Sequence, residues 1–178
     1  WDVMIAISLW QPWASALFAP ANPGASPRAI KENETRHWPM PGRLVGQQVA
    51  IHAAKRDTAD ERDFWTYVVR GDRRELYGHA FAAIGIQEYA DLPRGAIIGT
   101  AIFASPVSTN RMDAVGEMES EWGNFFAGRW AWPVIETAHF AQPIPCVGRQ
   151  GFFNWMPPVA FAAPGVDPES YYLFPRSC

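Results

Sequence analysis

Three ionisable side chains fall close together in "AIKENETRHW", residues 29–38: Lys31, Glu34 and Arg36, with Trp38 closing the stretch. The chain has two lysines, and the other, Lys55, follows in "IHAAKR". If "ETRHW" is extended, Glu34, Arg36 and Trp38 share one face, because side chains alternate along a strand. Lys31 joins that face only through a turn or bulge. Such a set could floor a pocket: Arg36 as a planar cation, Glu34 as its partner or as an acceptor for a ligand N–H, and Lys31 as a second donor. The competing reading is a solvated strand whose short-range ion pairs each contribute little.

Further candidates lie outside this stretch. "LWQPWA" places Trp10, Gln11 and Trp13 where a strand gives way to a helix, whose first N–H groups could face an anion. Gln11 would otherwise cap that helix. "AIHAAKR" ends an apolar run on His52 and Lys55; a lone histidine is more often a hydrogen-bonded structural residue, and His52 is assigned that role. "GRWAW" sets Arg129 beside Trp130 and Trp132, a pairing suited to base stacking. Trp13, Trp132 and Trp155 sit among apolar neighbours at the period of their elements and are expected in the core. Asp113, Glu117, Glu119 and Glu121 form an acidic run without the ligand spacing of a calcium loop, so a solvated loop is expected and no metal site is assigned. There is no glycine-rich phosphate loop and no Ser-His-Asp signature. If Lys31 and Arg36 serve a pocket and not the core, replacing either by Ala should leave melting nearly unchanged.

The elements that must position these residues follow from pattern. Strands are expected at 3–9, 48–54, 96–108, 128–140 and 147–155, and helices at 11–19, 60–70 and 75–86. Pro12 suits a first helical turn. Gly99 marks a bulge or close approach inside its strand. Three prolines and a glycine make 20–28 a loop. Strands interspersed with a few helices, without a regular βαβ rhythm, indicate an α+β fold, and a small closed or half-open barrel with helices on its rim fits.

Composition narrows the function classes. At 178 residues one domain is expected. The net charge of −3 does not support a broad face for duplex nucleic acid, which is usually basic. Residues 28–74 nevertheless carry ten basic and seven acidic side chains, whereas 75–127 carry two and seven, so a local positive site on an acidic body is the expected pattern. Two cysteines, Cys146 and Cys178, make neither a disulfide framework nor a metal knuckle, and a cytoplasmic setting is expected. The opening residues lack a basic leader, and no apolar run approaches a membrane span.

Taken in order, "SLWQPWASAL", "AIKENETRHW", "GQQVAIHAAK", "GAIIGTAIF", "GRWAWPV" and "PIPCVGRQGFFNW" resemble the ASCH family, the domain named for activating signal cointegrator, within the PUA-like superfamily. The family motif G-x-K-x-x-E-x-R reads here as Ala29, Lys31, Glu34 and Arg36, with alanine in place of the leading glycine. The resemblance implies a PUA-like small β-barrel flanked by helices over residues 1–155, with 156–178 as a proline- and aromatic-rich arm packed on it. It also implies a cleft between barrel and helices lined by Lys31, Glu34 and Arg36. Family members are associated with RNA or DNA binding; some deacetylate N4-acetylcytidine, and some are ribonucleases. The amidohydrolase members carry threonine where this chain has Glu34.

Two functions are therefore weighed. One is binding of RNA, another single strand or a modified nucleoside, through Trp10, Gln11, Lys31, Glu34, Arg36, Trp38, Lys55, Arg129 and Trp130. The other is a small hydrolase in which Lys31 is the base and Glu34 shuttles a proton. Neither calls for a cofactor.

Overall fold

The computed structural model describes residues 3–25 and 28–158; most of the expected C-terminal arm, residues 156–178, lies outside them. The described residues form a mixed α+β fold around a seven-stranded sheet. Its strands are β1 (Met4–Leu9), β2 (Asn33–Arg36), β3 (Gln48–Ala53), β4 (Ala96–Phe103), β5 (Val107–Ser108), β6 (Trp130–Pro145) and β7 (Phe152–Trp155). They are ordered β2-β6-β4-β3-β1-β7, with β5 also paired to β6. β1 and β3 run parallel, and every other pair is antiparallel. Among the described residues β2 and β7 are not paired, so the expected barrel is represented by an unclosed sheet.

Both faces of the sheet are covered, and alternation explains how. Ile7, Ile51 and Ile98 face a large cluster that includes Leu17, Phe103, Trp122 and Trp132. Their strand neighbours Ala6, Ala50 and Ile97 face a smaller cluster with Phe140, Phe153 and Trp155. A strand buried on both sides loses polar alternation and reads as a continuous apolar run, as "AIIGTAIF" does. Gly99 sits where its neighbours leave no room for a side chain. A Cβ there would lie 2.4 Å from the Ala138 carbonyl oxygen and 2.7 Å from the Phe18 ring, and the β4–β6 register shifts beside it.

Among the described residues four α-helices flank the sheet: α1 (Trp13–Ala16), α2 (Ala59–Phe64), α3 (Arg74–Ala82) and α4 (Glu117–Trp122). α2 continues into a π-helical turn over Trp65–Val69. It starts where the Glu61 carboxylate folds back to accept the Thr58 N–H at 2.6 Å. α4 corrects the expectation of a solvated loop at 113–122. Its acidic composition conceals Met118 and Trp122, one helical turn apart and both packed on the core. Trp122 is buried with its ring 5.1 Å from Phe64, 5.3 Å from Tyr77 and 5.9 Å from Phe81. Trp132 and Trp155 are core residues as expected, whereas Trp13 is half-buried, 4.6 Å from Phe64.

His139 on β6 is buried against Phe18, ring centroids 5.1 Å apart. Desolvation pushes its pKa down to about 4, from 6.5. The unfolded chain takes up this proton as pH falls below about 6.5, while the folded chain refuses it until about 4. Stability should therefore drop across that window by about 3 kcal/mol from this residue. Urea denaturation of the wild type and His139→Phe at several pH values checks this: the variant should lose most of the slope between pH 6.5 and 4.

Candidate functional site

A cleft of about 1540 Å³ lies where the C-terminal ends of β1 and β3 meet β2, α1, α2, the end of α4 and the 145–151 loop. Of the residues singled out from sequence, Trp10, Lys31, Glu34, Arg36, Trp38, Lys55 and Arg129 line it, and so does Trp13, which was expected in the core and not at a ligand site. Gln11 and Trp130 do not. Gln11 is fully buried: its Oε1 accepts the Ser15 N–H at 3.1 Å, and its Nε2 donates to Ser15 Oγ and the Pro93 carbonyl, both at 2.8 Å. It ties down α1, a four-residue helix too short to present an anion site. Trp130 is half-buried against the main core, because the face of β6 that carries it packs inward.

The motif side chains converge by ion pairing. Glu34 Oε2 lies 3.2 Å from Lys31 Nζ, and Glu34 Oε1 lies 2.8 Å from Arg36 Nε. Lys31 is 1% exposed. Its Nζ also donates to the Asn33 carbonyl at 2.5 Å and the Trp122 carbonyl at 3.2 Å, so three acceptors match its three hydrogens. Arg36 Nη2 reaches the Ser8 carbonyl at 3.2 Å, and its guanidinium stands 5.3 Å from the Trp38 ring centroid. The turn before β2 is held from α4, where the Glu119 carboxylate accepts the backbone N–H groups of Glu32 at 2.7 Å and Asn33 at 2.8 Å. Burial raises the Glu119 pKa, opposed by those hydrogen bonds. Glu119 was hidden in the acidic run, and only the helix reveals its role.

The mouth of the cleft is aromatic and basic. Trp10 is 52% exposed, with the Arg56 guanidinium 3.7 Å from its ring centroid. Arg56 is held in turn by Glu61 Oε1 at 2.6 Å. Trp38 is 38% exposed, and its backbone carbonyl accepts from Trp132 Nε1 at 3.2 Å. Arg94 and Arg149 add to Lys31, Arg36, Lys55 and Arg129, against two acidic residues among the described ones, Glu34 and Glu121. Glu121 is engaged by Tyr77 and Arg73. Arg94 Nη2 and Arg129 Nε are buried and, among the described residues, have no hydrogen-bond partner. The sequence reading missed Arg94 and Arg149, which come from loops far from the motif.

His52 also lines the cleft. It is buried, with Nδ1 3.0 Å from Ser8 Oγ and Nε2 3.0 Å from the Cys146 carbonyl. Desolvation lowers its pKa below 6.5, partly offset by the Cys146 hydrogen bond.

No family model and no curated protein matches this sequence. Solved structures of ASCH from Zymomonas mobilis do, each at 16% identity. One aligns over 80% of this chain and 73% of its own, with a TM-score of 0.43. A serine-to-alanine mutant of that protein aligns over 86% and 88%, with a TM-score of 0.44. The chain resembles the ASCH family. Lys31, Glu34 and Arg36 are joined in an ion chain beneath the cleft.

The burial of Lys31 reverses the expectation that its loss would be thermally silent. Lys31→Met would leave two carbonyls and part of the Glu34 charge uncompensated, at a cost of about 3 kcal/mol. For a chain of this size that lowers Tm by roughly 6–12 °C. Differential scanning calorimetry of the variant checks it, and an unchanged Tm would contradict the ion-chain assignment.

Proposed function

We propose that this chain binds single-stranded nucleic acid or a nucleotide in the cleft, with RNA or a modified base as the preferred ligand, on an opened form of a PUA-like barrel. The observation that carries this reading is the pairing of two exposed indoles, Trp10 and Trp38, with buried guanidinium donors of Arg94 and Arg129 that have no partner among the described residues. Indole faces stack bases whatever their identity. Unpartnered buried donors are costly and call for an acceptor-rich ligand such as a phosphate or a base carbonyl. In this reading Trp10 and Trp38 stack, while Arg94, Arg129, Lys55 and Arg149 meet phosphate or base edges. Lys31, Glu34 and Arg36 form the charged floor, with Arg36 nearest the ligand.

The Lys31-based hydrolase gains no support from this geometry, because the hydrogens of Lys31 point at Glu34 and two backbone carbonyls. A base needs a free lone pair aimed at the substrate.

Titration with short single-stranded RNA and DNA and with free nucleosides at several salt concentrations tests the proposal. Two to four phosphate contacts should give a log K against log salt slope of magnitude roughly 1.4 to 2.8. Trp10→Ala should weaken binding by ~1–3 kcal/mol with little change in slope. Arg129→Gln should lower the slope magnitude by ~0.7 if that residue meets phosphate. No binding of any of these ligands by the folded protein would refute the proposal.

A further inference from the structure

Ser8 and His52 face each other as register partners in the parallel pair β1–β3, near the C-terminal ends of both strands. Ser8 Oγ is 3.0 Å from His52 Nδ1, and His52 Nε2 is 3.0 Å from the Cys146 carbonyl oxygen. A carbonyl can only accept, so Nε2 carries the hydrogen and Nδ1 presents its lone pair. The Ser8 hydroxyl then donates to Nδ1, the direction in which a serine loses its proton to a base. Nucleophile, base and orienting acceptor stand in sequence, and Ser8, His52 and Cys146 all line the cleft.

We propose that Ser8 and His52 act as nucleophile and general base in acyl transfer from an anionic ester bound in this cleft. The Ser8 Oγ–C bond forms at the acyl carbon as His52 Nδ1 takes the hydroxyl proton. The tetrahedral intermediate then expels the alkoxide, which receives that proton from His52. Water, deprotonated by the same nitrogen, attacks the acyl-serine, and collapse releases the carboxylic acid and restores the Ser8 hydroxyl with its proton. No metal, oxidant or reductant enters the balance.

Three features set the pair apart from an incidental hydrogen bond. Gly148 leaves room for the imidazole: a Cβ there would lie 2.1 Å from His52 Cε1 and 2.4 Å from Nδ1. Arg36 Nη2 holds the carbonyl of Ser8 itself, which brings a positive charge to the nucleophile's own residue. The basic lining favours an acyl compound that carries a carboxylate or phosphate. The groups facing the imidazole are the Ser8 hydroxyl, the Cys146 carbonyl, the Gly148 backbone and the Phe153 ring, whose centroid is 5.9 Å away. The nearby Cys146 thiol has its pKa raised by burial. Burial also favours the neutral, basic form of His52.

A fluorophosphonate probe tests the pair directly, since attack by Ser8 forms an Oγ–P bond and releases fluoride. Intact mass and peptide mapping of the folded protein should show one adduct, on Ser8. It should be absent in Ser8→Ala and slower on the order of 100-fold in His52→Gln. If His52→Gln does not fold, the wild-type labelling rate against pH decides: it should rise with a midpoint below 6.5, the ordinary histidine value. No Ser8 adduct, a rate unchanged in folded His52→Gln, or a flat profile overturns the proposal. Mono-4-nitrophenyl succinate should exceed 4-nitrophenyl acetate in kcat/KM by about tenfold or more; equal values overturn the anionic substrate class. The substrate class rests on the same basic cleft as the proposed function, but Ser8 labelling reads without oligonucleotide, so either proposal can fail while the other stands.

Discussion

A buried charge must be paired and hydrogen-bonded or the fold does not tolerate it. The Lys31 ammonium meets this condition by drawing together groups from separate elements: Glu34 on β2, the carbonyl of Asn33, and the carbonyl at the end of α4. Glu34 passes the interaction to Arg36, and Arg36 reaches the backbone of β1 at Ser8. One chain of charges thus fixes the relative positions of α4, β2 and β1, the elements that bound the cleft. Removing a link would both expose a desolvated charge and loosen the wall that carries the cleft-lining side chains.

The periphery of the site depends on a second relay of the same kind. Glu61, fully buried at the start of α2, accepts from Arg56, and Arg56 lies over the Trp10 ring. Burial would raise the Glu61 pKa, but hydrogen bonds from Thr58 and Arg56 outweigh it and the pKa is lowered. The carboxylate therefore remains an anion able to hold the guanidinium. A helix cap in this way presents an indole at the mouth of the cleft. Pre-positioned aromatics lose little freedom on binding, which fits the proposed stacking in a chain with a net charge of −3.

The proposed chemistry and the proposed binding share the cleft and its basic lining, with Arg36 common to both. The indoles of Trp10 and Trp38 stand at its exposed rim, whereas His52 is buried at the ends of the parallel strands. On the two proposals, a polyanion is held at the mouth and the Ser8–His52 pair lies below it. The 145–151 loop closes on the imidazole without crowding it, because Gly148 has no side chain.

The local features were legible in the sequence because they are properties of neighbouring residues. The 31–34–36 spacing placed three charges where a turn and a short strand could gather them, apolar runs marked the strands, and Gly99 marked the tight layer contact. What the sequence could not settle depends on which segments become neighbours. Ser8 and His52 meet across 44 residues through parallel register, and Arg94 and Arg129 reach the cleft from loops after α3 and before β6. The acidic run concealed Glu119, whose carboxylate has meaning only beside the N–H groups of residues 32 and 33. Gln11 and Trp130 were misassigned for the same reason: whether a side chain faces the core or the cleft is set by the packing of whole elements. Spacing along the chain brought the charges of the motif together, and tertiary packing decided that Lys31 is buried and that a serine faces a histidine.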